Sequence, residues 1–174
     1  MTVFETPRLI ARLLHHTDVD ALHTICGDAA VMRFVGDLQP YTYDQTRQVI
    51  TEAQHSYEQY GFGPLAFIAK ASGQLIGYGG LELLPVREGP ELFYIFAPAY
   101  WGQGYATEVA AAIVEYGFNR CGLPAIGASF DPANQVSMRV AEKIGMHYLR
   151  DGVDEYDLPT VFYLIHRPAP AAET

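Results

Sequence analysis

The sequence predicts an α/β fold of the α+β type, in which helices flank a mixed, mostly antiparallel sheet with one β-α-β crossover. Two observations lead to this prediction. The middle of the chain consists of short strand-like segments joined by turns that contain glycine, which is typical of hairpins. The later part instead alternates helix and strand before two final strands, and such a crossover is expected to be right-handed.

Length and composition indicate one globular domain. The 174 residues are 49% hydrophobic, which provides enough chain and enough apolar surface for a core. We therefore expect a single domain over residues 1–168 and a flexible C-terminal tail over residues 169–174.

Charge and cysteine content restrict the class of partner. The net charge of −9 argues against nucleic-acid binding and suits a cationic or amine partner, although it also simply keeps a protein in solution. No apolar run is as long as a membrane span, so no membrane partner is expected. The two cysteines suggest neither a disulfide framework nor a metal site, and the expected compartment is the cytoplasm. We expect a monomer or a homodimer.

The first third of the chain predicts one strand followed by helices. Alternation and β-branched residues indicate a strand over residues 9–14, and helical segments are predicted over residues 17–26, 29–34 and 43–60. Thr17 or Asp18 can cap the first helix, and Thr42 can cap the longest one.

The rest of the chain predicts a hairpin and then the alternating elements. Strands are predicted over residues 65–70, 74–83, 91–96, 125–130, 148–153 and 160–166, helices over 107–120 and 134–144, and a turn over 85–89. Gly77, Gly79 and Gly80 within one strand indicate a bulge or a close approach of two backbones. Gly145 is expected to end the last helix.

A glycine-rich turn, Tyr100-Trp-Gly-Gln-Gly-Tyr-Ala-Thr-Glu108, joins a predicted strand to a predicted helix. The first N–H groups of a helix lack acceptors within it, and the helix dipole favours an anion there, so this turn suits a phosphate-bearing cofactor. A dinucleotide-binding site remains an alternative interpretation, because the turn has two glycines and Asp131 follows the next strand. Two features count against this alternative: Thr107 stands in place of a third glycine, and hairpins precede the turn.

A second block, Asp131-Pro-Ala-Asn-Gln-Val-Ser137 running to Glu142-Lys-Ile-Gly-Met146, follows one strand later. Together the two blocks resemble the GNAT (Gcn5-related) N-acetyltransferase superfamily in its RimJ/RimL-like branch. The N-terminal Thr6-Pro-Arg-Leu-Ile-Ala-Arg-Leu13 resembles the opening strand of that branch, and Glu91-Leu-Phe-Tyr-Ile-Phe96 resembles its Glu-led strand. Trp101 departs from the Arg or Gln of the superfamily and is similar to the Trp-Gly-x-Gly of the branch.

The resemblance implies acetyl-CoA as co-substrate and no metal. Family members bind the pantetheine arm along the Glu-led strand, here Tyr94, Ile95 and Phe96. They hold the pyrophosphate on the turn, here Gly102, Gln103, Gly104, Tyr105, Ala106 and Thr107. Asn134 is either the N-cap of its helix or a contact of the cofactor arm, and both roles are compatible.

The resemblance also implies direct acetyl transfer to a primary amine. An amine must lose a proton before it attacks a thioester, and Glu91 beside the sheet is the expected base, directly or through water. The alternative is a structural edge charge. Ser137 is expected to protonate or hydrogen-bond the departing thiolate, since Ala141 stands where many members have a tyrosine. A backbone N–H of the Glu-led strand, that of Phe96, is expected to stabilise the oxyanion.

The identity of the amine is left open, with protein N-termini and small-molecule amines as candidates. Aromatic residues in and on either side of the predicted helix 43–60 either pack in the core or line the acceptor pocket: Tyr41, Tyr43, Tyr57, Tyr60 and Phe62. Two other functions also stay open at this point. One is an acyl-CoA-binding sensor or interaction module without turnover, and the other is a nucleotide-dependent oxidoreductase.

Overall fold

Eight strands form one sheet in the computed structural model, which describes residues 1–83 and 89–169. The strands are β1 (Thr2–Glu5), β2 (Leu9–Leu13), β3 (Pro64–Ala69), β4 (Leu75–Leu83), β5 (Pro90–Phe96), β6 (Ala125–Phe130), β7 (His147–Val153) and β8 (Pro159–His166). Their order across the sheet is β1-β2-β3-β4-β5-β6-β8-β7. Every neighbouring pair is antiparallel except β5 and β6, which confirms the predicted mixed, mostly antiparallel sheet.

Among the described residues, five α-helices flank the sheet: α1 (Val19–Cys26), α2 (Ala29–Met32), α3 (Tyr43–Tyr60), α4 (Tyr105–Asn119) and α5 (Gln135–Lys143). Alternate residues of a strand point to opposite faces, and β3 shows this directly. Leu65 and Phe67 pack with the apolar side of α4, whereas Ala66 and Ile68 pack with α1 and α3. The sheet therefore has a core on both faces. In the described part of the chain, no helix is long and apolar enough to cross a membrane.

Local sequence signals set several helix ends as predicted. Thr42 caps α3 in a capping box with Gln45, because each side chain accepts a hydrogen bond from the backbone N–H of the other residue. Asn134 caps α5 by accepting the N–H of Ser137 at 3.2 Å. Gly145 follows α5 with φ +88°, which is the left-handed conformation expected just after a helix.

Three features differ from the predictions. The sequence did not indicate β1, which has only four residues and pairs with β2 next to the Thr6-Pro7 turn. Asp18 makes no side-chain cap on α1, because its carboxylate is instead bound by the guanidinium of Arg12 and by the N–H of His15. Helix α4 begins at Tyr105, two residues before the predicted start.

Two other predicted features fall largely outside the description. One is the turn predicted over residues 85–89, of which only residue 89 is described. The other is the tail predicted over residues 169–174, of which only residue 169 is described.

Candidate active site

Strands β5 and β6 lie side by side at one end only. Their parallel pairing has a single register position, Glu91 opposite Gly127, whereas β4 pairs along the whole of β5. Beyond Glu91 the two strands separate, and one edge of β5 is left without a partner strand. We call this gap between β5 and β6 the splay.

The unpaired edge of β5 presents the peptide groups of Tyr94 and Phe96 to the splay. A Cβ atom at Gly77 would collide with the carbonyl oxygen of Ile95, so that carbonyl faces β4. Peptide groups alternate in direction along a strand, so those of Tyr94 and Phe96 face the opposite way. The Phe96 carbonyl already accepts a 2.7 Å hydrogen bond from Nε1 of Trp101, which ties the glycine-rich turn to the end of β5.

Glu91 lies where the splay begins, and only 7% of it is exposed. The hydroxyl of Ser129 donates a 2.8 Å hydrogen bond to its Oε2. Ser129 and Gly127 are two residues apart on β6 and therefore share one face of the sheet. A Cβ atom at Gly127 would lie 3.3 Å from Cγ of Glu91, so the glycine leaves room for the carboxylate. The two strands together fix one buried carboxyl group at the point where they separate.

The turn between β5 and α4 forms the site expected for an anion. Gly102 and Gly104 have φ values of +69° and +81°, a left-handed conformation that favours glycine. The N–H of Glu108 makes the first helical hydrogen bond, 3.1 Å to the carbonyl oxygen of Gly104. The N–H groups of residues 105–107 therefore have no acceptor within the helix and, with the helix dipole, suit a phosphate.

The N-terminal segment holds this turn from the side. Oε1 of Glu108 accepts hydrogen bonds from the Thr6 hydroxyl at 2.6 Å and from the backbone N–H of Arg8 at 2.9 Å. The Arg8 guanidinium donates to Oε2 of Glu108 at 2.6 Å and to the carbonyl oxygen of Gln103 at 2.8 Å, and it lies 4.0 Å from the centre of the Tyr105 ring. The shape of the turn thus depends on residues about a hundred positions earlier in the chain.

The start of α5 closes the splay from the other side. Ser137 is half-buried, and the hydroxyl of Tyr94 on β5 is buried without a hydrogen-bond partner of good geometry in the described chain. Burial raises the pKa of Tyr94 to about 12, an effect that the nearby hydroxyl of Ser137 partly offsets. Tyr94 is therefore protonated at neutral pH and can donate a hydrogen bond into the splay.

A cleft of about 820 Å³ opens beside Glu91, between α3, the strands and the loop that joins β7 to β8. Carboxylates line it on several sides: Glu52, Glu82, Glu91, Asp131, Asp154 and Glu155. The described residues of its lining include no lysine or arginine. Carboxylates such as Glu52, Asp131 and Asp154 in this described lining favour a cation.

Of the aromatic residues expected in the acceptor pocket, Tyr41 and Tyr60 line this cleft. Tyr57 instead packs against the core and shares a hydrogen bond with the hydroxyl of Tyr116. The described lining does not include Tyr43 or Phe62.

The geometry agrees with one known family. A sequence model described as an acetyltransferase (GNAT) domain matches residues 8–147. The chain belongs to the GNAT acetyltransferase family. It is accordingly an N-acetyltransferase, from a family that uses acetyl-CoA and acts on amines. The dinucleotide alternative is thereby set aside.

Individual relatives of this GNAT acetyltransferase agree with the assignment. The uncharacterized protein YkkB of Bacillus subtilis (strain 168) is 32% identical over 93% of this chain and 94% of its own. The acetyltransferase of Agrobacterium tumefaciens has a TM-score of 0.83 at 25% identity, over 96% and 95% of the two chains. RimL, a ribosomal L7/L12 α-N-protein acetyltransferase solved with coenzyme A, shares the fold alone, at 15% identity, TM-score 0.78 and coverages of 95% and 98%.

Most of the residues that the sequence singled out lie around the splay. Glu91, Tyr94, Asn134 and Ser137 line one cleft, and Phe96 lies at the end of β5. Residues 102–107 follow Trp101, which is hydrogen-bonded to the Phe96 carbonyl, and lead into α4. Ile95 is placed differently from its neighbours, because its carbonyl faces β4 and its buried side chain packs with the core of α1 and α3. No group of three or more His, Cys, Asp or Glu side chains able to hold a metal ion occurs among residues 1–83 and 89–169.

Sequence reasoning missed Ser129, Thr6, Arg8 and Glu108. Ser129 could have been noticed, since it lies two residues after a glycine in a strand expected next to the Glu-led strand. Nothing in the local sequence connects Thr6 or Arg8 with Glu108, because the residues are 102 and 100 positions apart.

Proposed function

We propose that this GNAT enzyme moves an acetyl group from acetyl-CoA directly to the primary amine of a small cationic acceptor. The observation that carries the proposal is the position of Glu91, a buried carboxylate at the point where the splay meets the acidic cleft. The splay is the proposed donor site and the cleft the proposed acceptor site. We further propose that residues 1–168 form one catalytic domain of the RimJ/RimL-like branch, active in the cytoplasm as a monomer or homodimer.

The residues of the splay fit the donor. The N–H groups of residues 105–107 suit its diphosphate, and the free edge of β5 at Tyr94 and Phe96 suits the two amides of its arm. The buried Tyr94 hydroxyl also lacks a good partner among the described residues, as a ligand-facing donor would. When bound, acetyl-CoA supplies an acetyl thioester, which an amine can attack.

Glu91 acts as the general base in this proposal. It takes a proton from the acceptor amine, directly or through a water molecule, so that the nitrogen can form its bond to the acetyl carbon. Ser129 holds the carboxylate in place through Oε2. The N–H of Phe96 stabilises the negative charge that develops on the acetyl oxygen.

Ser137 assists the departure of the coenzyme A thiolate. As the carbon–sulfur bond breaks, its hydroxyl donates a hydrogen bond or a proton to the departing sulfur, and the protonated Tyr94 lies beside it. Neither cysteine is suited to form a covalent intermediate. Burial raises the pKa of Cys26 to about 11 and also raises the pKa of Cys121, so both are poor thiolate nucleophiles.

The lining of the cleft favours a small acceptor with more than one positive charge. Glu52, Asp131 and Asp154 lie on three different sides of the cleft, on α3, after β6 and after β7. A molecule with several ammonium groups can place one beside Glu91 and others beside these carboxylates. The aromatic rings of Tyr41 and Tyr156 in the same lining add favourable cation–π contacts. A protein N-terminus, with a single ammonium group, is the second candidate.

Release of free thiol from acetyl-CoA tests the proposal across a panel of spermidine, ribostamycin, a monoamine and N-terminal peptides. We expect faster release with the multiply charged amines than with the monoamine. Release of thiol with the peptides alone would show that the acceptor is a protein N-terminus and not a small amine. If no amine of the panel releases thiol although the protein binds acetyl-CoA, this would instead support an acyl-CoA-binding module without turnover.

A further inference from the structure

The proposed diphosphate turn carries no positive charge of its own. Residues 100–108 contain neither lysine nor arginine, and they end in Glu108, which lies in the first turn of α4. The helix dipole stabilises a carboxylate at this position, but the carboxylate repels a diphosphate bound at the same helix start. A site for an anion therefore needs a cation from elsewhere in the chain.

Arg8 supplies that cation from the residue just before β2. Its Nε binds Glu108 and its Nη1 binds the carbonyl oxygen of Gln103, so two of its three nitrogens hold the turn. The third, Nη2, would lie 3.5 Å from a Cβ atom built on Gly104, and it makes no hydrogen bond in the described chain. The Arg8 side chain is 41% exposed, so a ligand can reach it.

Two consequences follow from this arrangement. The ion pair with Arg8 cancels the negative charge of Glu108, so the helix start stays attractive to an anion. Holding the Gln103 carbonyl fixes the turn in which Gly104 is left-handed, and this leaves the N–H groups of residues 105–107 exposed to a ligand. Arginine suits both tasks because its planar fork can bind several oxygens at once.

We propose that Arg8 is a cofactor-binding residue, which contacts a phosphate group of acetyl-CoA through Nη2 while its other nitrogens hold the turn. The proposal rests on the function proposed above, because it takes the turn as the diphosphate site. It predicts that Arg8 discriminates between donors that contain phosphate and donors that do not.

The test compares acetyl-CoA with S-acetylpantetheine, which has the same thioester and arm but no phosphate. In the Arg8→Gln variant we expect kcat/KM for acetyl-CoA to fall about tenfold or more, mainly through KM, as loss of a charged hydrogen bond implies. We expect kcat/KM for S-acetylpantetheine to change less than twofold. An equal loss with both donors would overturn the proposal and leave Arg8 a purely structural role.

Direct binding provides the same comparison without turnover. Calorimetry should show that Arg8→Gln weakens coenzyme A but not pantetheine, and equal weakening of both would contradict the proposal. If the unmodified protein binds coenzyme A and yet acetylates no amine, the proposed function fails while this test of Arg8 remains valid.

Two further variants separate charge from geometry. Arg8→Lys keeps the charge but not the fork, so its loss of coenzyme A affinity should lie between those of the unmodified protein and Arg8→Gln. Lys70→Gln is the matched control, because the side chain of Lys70 forms its ion pair with Glu5 of the N-terminal segment, at 2.9 Å, and this pair does not involve the turn. We expect it to keep full coenzyme A affinity, and a loss equal to that of Arg8→Gln would contradict a specific role for Arg8.

A double-mutant cycle separates the neutralisation of Glu108 from the other roles of Arg8 at the turn. If Arg8 only cancelled that charge, Arg8→Gln would have no effect on coenzyme A affinity in a Glu108→Gln background. We expect it still to weaken binding several-fold there. Absence of any effect would overturn the contact through Nη2.

Discussion

The hydroxyl of Ser129 on β6 donates a 2.8 Å hydrogen bond to Oε2 of Glu91 on β5, from two residues beyond Gly127, the β6 residue that pairs with Glu91. The bond spans the origin of the splay, so it connects the strand proposed to bind the donor with the strand that borders the acceptor cleft. Because the carboxylate is held by the sheet and not by a loop, its position is fixed before either substrate binds.

Ser129→Ala should therefore lower kcat more than it changes affinity. The carboxylate loses the partner that orients it, and we expect kcat to fall about tenfold or more, since one hydrogen bond to a charged group is worth roughly 1.5–3 kcal/mol. The KM for acetyl-CoA should stay within twofold. Ser129→Thr, which keeps the hydroxyl, is the matched control and should retain most of the activity; a threonine variant as slow as the alanine variant would argue against the hydrogen bond.

Gly104→Val should abolish cofactor binding while the protein stays folded. Gly104 has φ +81°, which valine adopts only at a cost of about 1–3 kcal/mol, so the turn would change shape and its N–H groups would point elsewhere. We expect the Kd of coenzyme A to rise at least about tenfold, with an unchanged circular dichroism spectrum.

Gly73→Val is the control for that strain. Gly73 lies in the turn between β3 and β4 with φ +69° and has open space where a Cβ atom would be, so it should lose similar stability and keep its affinity. Equal affinities of the two variants would contradict the diphosphate assignment.

Glu108 should stabilise the fold in a way that depends on pH. Burial alone raises the pKa of Glu108, but the hydrogen bonds from Thr6 and Arg8 outweigh it and leave the pKa below its ordinary value. A lowered pKa in the folded state means that the unfolded chain binds more protons. The stabilisation is then fully present above the unfolded pKa of about 4.3 and is lost as pH falls through the folded pKa.

Denaturant unfolding of Glu108→Gln measures this contribution. We expect a loss of about 1 kcal/mol at pH 7, because the partly exposed Arg8 weakens the pair through solvent screening. The difference from the unmodified protein should shrink below about pH 4. Glu115→Gln, on an exposed position of the same helix, should show no such change, and a pH-independent difference for Glu108→Gln would contradict the ion-pair account.

Local signals in the sequence predicted the parts of the fold that depend on neighbouring residues. The Thr42 and Asn134 caps act over three residues, and the Gly102 and Gly104 turn is contiguous. Such interactions are formed by the chain segment itself, so their sequence pattern is sufficient.

Contacts between distant segments were not predictable in this way. The Ser129–Glu91 hydrogen bond joins residues 38 positions apart, and the bonds of Arg8 to Glu108 join residues 100 positions apart. Asp18 illustrates the same limit, because its expected role as a helix cap was replaced by an ion pair with Arg12 once β2 lay beside it. Tertiary structure decides which partner a polar side chain takes.

Single-turnover acetylation tests the role of Glu91 as the base most directly, with the Glu91→Gln variant in excess over acetyl-CoA and an acceptor amine found in the panel above. We expect the rate to fall about a hundredfold or more, as loss of a general base implies, while the Kd of coenzyme A stays within twofold. A variant that acetylates the amine as fast as the unmodified protein would contradict the account and remove Glu91 from the mechanism.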